Sequence, residues 1–395
     1  MKRLLAAALA ALTLCSLAAC GAPAGKDPEG EAPPSTETPA VEPEAPPSTE
    51  PAPPADPVEV LLASMTLEEK AGQLFLVRCP ADGAVEDVSA YHLGGYILFG
   101  RDTQDKTAND LIQAIQSYQD AAAIPLLIGV DEEGGTVARV SSNPHLRSSK
   151  FKSPQKLFVA GGMDAILADA HEKDVLLRAL GFNVNLAPVA DVSTSSGDFI
   201  YARAFGQDAA ATADYVAQVV TQMAFDGMGS VLKHFPGYGD NVDTHTGVAV
   251  DARPMETFET ADLLPFEAGI QAGGGLPAVL VSHNIVQCMD PDLPASLSPA
   301  VHTLLRNDLG FDGVVMTDDL AMDAVAAYAG DGAVAVMALE AGNDLIITTD
   351  YRTQIPRVIE AVESGALAEE VLDAACRRVL SWKSALGLLE GPGGF

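Results

Sequence analysis

An α/β fold built as a single (β/α)8 barrel is the architecture this sequence predicts, and two observations carry the prediction. Eight short apolar runs recur at 73–77, 94–99, 125–130, 183–187, 229–234, 277–282, 313–317 and 343–347. They are bounded by Gly, Pro or Asn and are nearly continuous rather than alternating, as strands buried on both faces are. Between them lie longer amphipathic stretches with helix signals, so strand and helix alternate eight times in about 330 residues. A doubly wound open sheet is the alternative. Its nucleotide-binding signals are missing, since no Gly-x-Gly-x-x-Gly follows the first run and no P-loop occurs.

Before the barrel come two segments of other character. Residues 1–19 read as a lipoprotein signal peptide. Lys2 and Arg3 precede an Ala/Leu run from Leu4 to Ala19, too short and too small for a comfortable membrane span. The run ends Leu17-Ala18-Ala19-Cys20, which resembles a bacterial lipoprotein cleavage box. The expected product carries lipid on Cys20 and sits outside the cytoplasm, anchored to a bacterial membrane. A plain secretory signal or a retained N-terminal anchor is the alternative. Residues 20–57 then form a linker, where 12 of the 26 prolines fall within 21–57 and the block Glu-Ala-Pro-Pro-Ser-Thr-Glu occurs at 31–37 and again at 44–50. Such composition buries no core and stays extended, as a stalk would. The catalytic barrel is expected over 58–395.

Charge and cysteine content narrow the partners. A net charge of −31 argues against nucleic acid, whose phosphates need basic patches. The five cysteines are scattered, with no Cys-x-x-Cys pair and no zinc spacing. Cys79, Cys288 and Cys376 are expected as buried thiols.

Each element then has its local reason. Thr66 and Glu69 make a capping box that starts the first helix of the domain. Ser298-Pro299 supplies an N-cap and a first-turn proline, Val301, Leu304, Leu305 and Leu309 make one apolar face, and Gly310 stops it. In a barrel the C-terminal strand ends carry the chemistry, and here they are polar. The third run leads into Asp131-Glu132-Glu133-Gly134-Gly135 and then Arg139. The fourth ends in Asn185 with Asp191 beyond, the fifth in Lys233-His234, the sixth in Ser282-His283-Asn284, and the seventh runs into Asp318-Asp319. A single polar strand end could be a helix cap, as Asp319 could. Five of them would face one pocket.

The stretch from Val231 to Thr246 is the densest. After Lys233-His234 comes turn chemistry, Pro236-Gly237-Tyr238-Gly239, and then Asp243 and His245, two residues apart. Extended backbone points such a pair to one side, where the carboxylate can orient the imidazole for proton transfer. The whole set suits a neutral, hydroxyl-rich substrate such as a sugar, whose glycosidic bond is cleaved between two protic side chains.

Taken together these motifs resemble glycoside hydrolase family 3, in its single-barrel β-N-acetylglucosaminidase (β-hexosaminidase) branch. The resemblance covers about residues 60–388 and rests on 65–74, Gly129 to Gly135, Ala202 to Gly206, Lys233 to Gly237, Asp243-Thr244-His245, and Gly310 to Leu320. It implies a retaining exo-glycosidase that removes terminal β-linked N-acetylhexosamine from peptidoglycan- or chitin-derived oligosaccharides. Asp318 would be the nucleophile, and His245 paired with Asp243 on a mobile loop would be the acid/base. Asp131, Arg139, Arg203, Lys233 and His234 would bind the sugar. No metal or organic cofactor is implied. The chain departs from the family at three points. Tyr238 stands where Gly-His-Gly is usual, Thr244 replaces the usual Ser, and the loop between Lys233 and His245 is one residue shorter. These bear on how the loop closes and which sugar fits. Many relatives carry a second, sandwich domain that the stretch after the last run is too short to hold. Two other activities fit the same residues: phosphorolysis, in which a histidine acid/base repels incoming phosphate less than a glutamate would, and a sugar-binding lipoprotein without turnover.

Overall fold

The computed structural model describes residues 56–241, 249–326, 328 and 333–389. Cys20, most of the expected linker, and the Asp243–His245 pair lie outside these residues. The first described helix, Pro57–Ser64, starts where Asp56 accepts a hydrogen bond from Val58 N at 2.9 Å, one residue from the expected domain start.

The barrel forms. Its strands are β1 (Phe75–Arg78), β2 (Gly95–Leu98), β3 (Leu127–Val130), β4 (Val184–Asn185), β5 (Gly229–Phe235), β6 (Pro277–Val281), β7 (Val315–Thr317) and β8 (Ile346–Thr348). Each overlaps one apolar run of the sequence. They make one eight-stranded sheet in the order β7-β6-β5-β4-β3-β2-β1-β8, and every pairing in it is parallel. The sheet edges meet through a parallel bridge between Met316 and Leu345, with Thr317 N donating to Leu345 O at 3.1 Å. An open doubly wound sheet would place β1 away from the last strand, so this order excludes that alternative.

Two-sided burial explains the apolar runs. All residues of β2, β3, β5, β6, β7 and β8 are buried. Helices cover the outside, among them Pro154–Ala179, Ala209–Phe225, Leu263–Ala272, Tyr351–Glu363 and Glu369–Ala385. Each Val, Leu or Ile so enclosed contributes roughly 1.5–3 kcal/mol relative to exposure. Among the described residues no helix is long and apolar enough to cross a membrane.

Local details follow and correct the sequence reading. The Thr66–Glu69 capping box is present, with Thr66 N donating to Glu69 Oε2 at 2.8 Å. That helix runs through Gln73, so β1 starts at Phe75 rather than at 73 and extends to Arg78. Ser298 caps the helix Pro299–Thr303, accepting from Val301 N at 3.3 Å. The next turn, Leu304–Asp308, is a π-turn rather than a continuation of the α-helix. Cys79 and Cys376 are buried, but Cys288 is exposed, because it sits in the turn beyond the short strand Ile285–Val286 rather than on a packed face.

Candidate active site

Parallel strands with one direction deliver their C-terminal residues to one end of the barrel. A cavity of about 490 Å³ lies there. Asp131, Arg139, Arg203, Lys233, His234 and Asp318 all line it, together with Arg78, Asp319 and the apolar Phe99, Phe199 and Met322. Six residues singled out from sequence, carried by β5 itself and by segments after β3, β4 and β7, therefore share one cavity.

At its floor sits a buried cluster of opposite charges. Lys233 Nζ lies 2.7 Å from Asp131 Oδ1 and 2.6 Å from Glu133 Oε1. Arg203 grips the same Glu133 in a two-toothed pair, at 3.0 Å from Nε to Oε2 and 2.8 Å from Nη2 to Oε1. Burial by itself would raise the Glu133 carboxyl, but the Arg203 and Lys233 cations override it and hold it well below the usual carboxylate range. Burial would likewise lower the Lys233 ammonium, and Asp131 and Glu133 reverse that and raise it. A charge left unpaired at this depth would cost several kcal/mol, so each member keeps the others ionised and in place.

Beside the cluster, His234 has both ring nitrogens engaged. Asp191 Oδ2 lies 2.7 Å from Nδ1, and Arg203 Nη2 lies 3.1 Å from Nε2. A guanidinium only donates and a carboxylate only accepts, so Nδ1 carries the hydrogen and Nε2 accepts. In this arrangement His234 orients Arg203 instead of offering a donor to a ligand. Asp191 is itself fixed, accepting from Tyr238 N at 2.8 Å. The Tyr238 ring is buried edge-on to His234, with centroids 5.6 Å apart, and 5.6 Å from the Phe199 ring.

Glu132 has a different task. It is fully buried, and its carboxylate accepts from Arg139 N and Val140 N at 2.7 Å each and from Ser141 N at 3.2 Å. It thereby fixes the short antiparallel ribbon Glu132–Gly134 with Val137–Ala138, which carries Arg139 to the cavity wall. Across the barrel, Asp318 N extends the sheet by donating to Val281 O at 3.1 Å, and Asp318 Oδ1 accepts from Asp319 N at 2.8 Å. Asp319 is the local cap, accepting from Ala321 N at 2.9 Å. His283 and Asn284 do not line the cavity. They are fully buried, and His283 Nε2 lies 3.1 Å from Asp319 O, bracing the turn that presents Asp318.

The chain has recognisable relatives. The model of the glycosyl hydrolase family 3 N-terminal domain matches residues 66–382. The chain belongs to glycosyl hydrolase family 3. A β-hexosaminidase of Stenotrophomonas maltophilia is 34% identical over 303 residues, 75% of this chain and 84% of that protein. The β-hexosaminidase LpqI of Mycobacterium tuberculosis is 33% identical over 335 residues, 81% of this chain and 84% of that protein. Among solved structures, a glycoside hydrolase family 3 β-N-acetylglucosaminidase from a Paenibacillus species superposes with a TM-score of 0.77 at 32% identity. That match covers 84% of this chain and 64% of the Paenibacillus chain, so this chain spans under two thirds of that one.

Three residues of the site received no role from the sequence: Arg78, Glu133 and Asp191. Arg78 was missed because the first strand was ended at Val77. Glu133 had a readable signal, since it stands two residues from Asp131 and shares its face along extended backbone. Asp191 lies beyond a strand end, and nothing in the sequence pairs it with His234. Asp243 and His245 fall outside the described residues, but the base of their loop is visible. Asn241 Nδ2 donates to Asp251 Oδ2 at 2.9 Å, and Arg253 ties Asp251 to Asp262 with contacts of 2.7 and 2.9 Å. Among the described residues there is no cluster of three or more His, Cys, Asp or Glu side chains that could hold a metal ion.

Proposed function

We propose that this enzyme is a retaining β-N-acetylhexosaminidase. It removes terminal β-linked N-acetylhexosamine from peptidoglycan- or chitin-derived oligosaccharides, with Asp318 as nucleophile and the His245–Asp243 pair as acid/base. The observation that carries the reading is the meeting of Asp318 with Asp131, Arg139, Arg203 and Lys233 in one cavity. The names of the relatives above support the substrate class.

In the first step Asp318 attacks the anomeric carbon while His245 gives its proton to the leaving oxygen, and a glycosyl ester forms. In the second step His245 takes a proton from water as the water attacks the same carbon, and Asp318 is released. Two inversions return the β configuration. Arg139, Asp131 and Lys233 hold ring hydroxyls through charge-assisted bonds, which the ion-paired floor keeps rigid before the sugar arrives. Lipid on Cys20 would keep this chemistry at an extracytoplasmic membrane surface, on a stalk formed by the linker.

The test is aryl release from an aryl β-N-acetylglucosaminide by the full chain, with and without phosphate. Asp318→Asn abolishes turnover. His245→Ala lowers it by roughly 10²–10⁴-fold, less for an aryl group that leaves easily, and accumulates an N-acetylhexosamine adduct detectable by mass spectrometry on Asp318. Activity that survives Asp318→Asn sinks the nucleophile. Acceleration by phosphate with release of a sugar phosphate turns the reading to a phosphorylase, and binding without turnover turns it to a sugar-binding protein. For the anchor, a labelled fatty acid incorporates into the chain and not into Cys20→Ser; incorporation into both overturns it.

A further inference from the structure

A second cavity, of about 530 Å³, adjoins the first and shares Arg139 with it. Its remaining walls come from segments after β2 and β3, including Gln104, Asp105, Ser142 and Lys150. None comes from β5 to β8. On a ring of eight strands β3 and β7 stand four apart, so this cavity lies across the barrel from Asp318.

We propose that this cavity receives a second sugar ring, linked to the non-reducing side of the ring held at Asp318. The argument rests on the reading that Asp318 attacks the anomeric carbon. That carbon is then fixed on the β7 side. In a pyranose the carbon opposite the anomeric one is C4, so the C4 hydroxyl points toward β3, where Arg139 stands. A substituent on that oxygen leads past Arg139 into the second cavity. Two observations agree with a sugar as occupant. The space is at least as large as the one that takes the first ring. Its lining is polar rather than apolar, with Gln104, Asp105, Thr136, Ser142, Asn143 and Lys150 in the wall.

The cleft is also built rigidly. Asn143 is buried between its two walls, and its Nδ2 donates to Thr103 O at 2.8 Å and Lys106 O at 2.7 Å. Thr103 Oγ1 donates to Arg139 O at 2.8 Å. The enzyme therefore also cleaves after a disaccharide, beyond the removal of single terminal residues.

The experiment compares an aryl β-N-acetylglucosaminide with the aryl β-glycoside of its β-1,4-linked disaccharide, using the full chain. The expected result on the second substrate is immediate aryl release together with intact disaccharide. A lag in aryl release, with monosaccharide formed first, overturns the proposal while the single-sugar substrate still reports an intact hydrolase. Absence of release from both overturns the proposal together with the function it rests on. Ser142→Trp fills the second cavity and lowers kcat/KM for the disaccharide substrate at least tenfold, leaving the single-sugar substrate unchanged. Lys150→Ala is a milder check of the same split. An equal loss on both substrates, or no loss on either with both variants, overturns the assignment.

Discussion

Lys233 is an ammonium taken out of water, and it stays charged because two carboxylates stand within 2.7 Å of it. Removing one partner of such a buried set leaves the others uncompensated. Lys233→Met is therefore expected to cost about 3–5 kcal/mol of stability, measured by denaturant unfolding, as well as sugar binding. Glu133→Gln gives a sharper reading through pH. The Glu133 carboxyl is held below its unfolded value, so its contribution is fully present above the ordinary carboxylate range and is lost as pH falls through that range and below. The wild-type chain should be more stable than Glu133→Gln at pH 7, and the gap should narrow between pH 5 and pH 3. A constant gap would mean that charge is not what Glu133 contributes. The sequence showed three consecutive carboxylates and could not rank them by type alone. Alternation separates them, because Asp131 and Glu133 turn to Lys233 while Glu132 turns to backbone N–H groups. His234 shows the converse limit. It lines the cavity as the sequence expects, but Asp191 and Arg203 engage its two nitrogens, a pairing across 43 and 31 positions that no local pattern encodes.

The ribbon after β3 is the element that turns charge into geometry. Gly134 and Gly135 have φ of +92° and +67°, and a Cβ on Gly134 would collide with the carbonyl oxygen of Lys152. Gly134→Ala combines left-handed backbone, roughly 1–2 kcal/mol, with a clash against backbone that cannot swing aside. A lowered Tm and a larger fall in kcat/KM than in stability are expected, since Glu133 and Arg139 flank the turn. A variant with unchanged kcat/KM would show that the ribbon tolerates displacement and does not set the site. At this scale the eight strands and the Thr66–Glu69 cap were legible, because burial on both faces and capping leave local marks. The π-turn at Leu304–Asp308 and the ribbon itself were not, since their signals are two or three residues long and rest on tertiary contacts.

At the scale of the molecule, the ring order follows from strand–helix alternation, but what locks its lower end is a tertiary meeting of the helix Leu67–Gln73, just before β1, with the last described helix. Gln73, just before β1, donates to His92 O and Leu93 O at 2.8 and 3.3 Å and accepts from Lys383 Nζ at 2.6 Å. Lys383 belongs to the last helix, Glu369–Ala385, and is fully buried. Burial lowers its ammonium from the ordinary lysine value to about 7. Between that value and the unfolded lysine value near 10.4 the unfolded chain holds the extra proton, so stability rises with pH across this window. Below pH 7 both states are charged and the penalty is fully in place, on the order of 4 kcal/mol. Lys383→Met removes the penalty and leaves Gln73 Oε1 without that donor, a loss of roughly 1–3 kcal/mol. Denaturant unfolding of the two chains should thus show the variant equal to or more stable than wild type at pH 7. Its advantage should shrink and reverse toward pH 9.5, where the folded amine is neutral and the unfolded chain gives up its proton at little cost. Following the difference between the two chains cancels every other group that titrates in that window. A flat difference would mean that the amine remains charged in the folded barrel, with Gln73 Oε1 accepting from the ammonium.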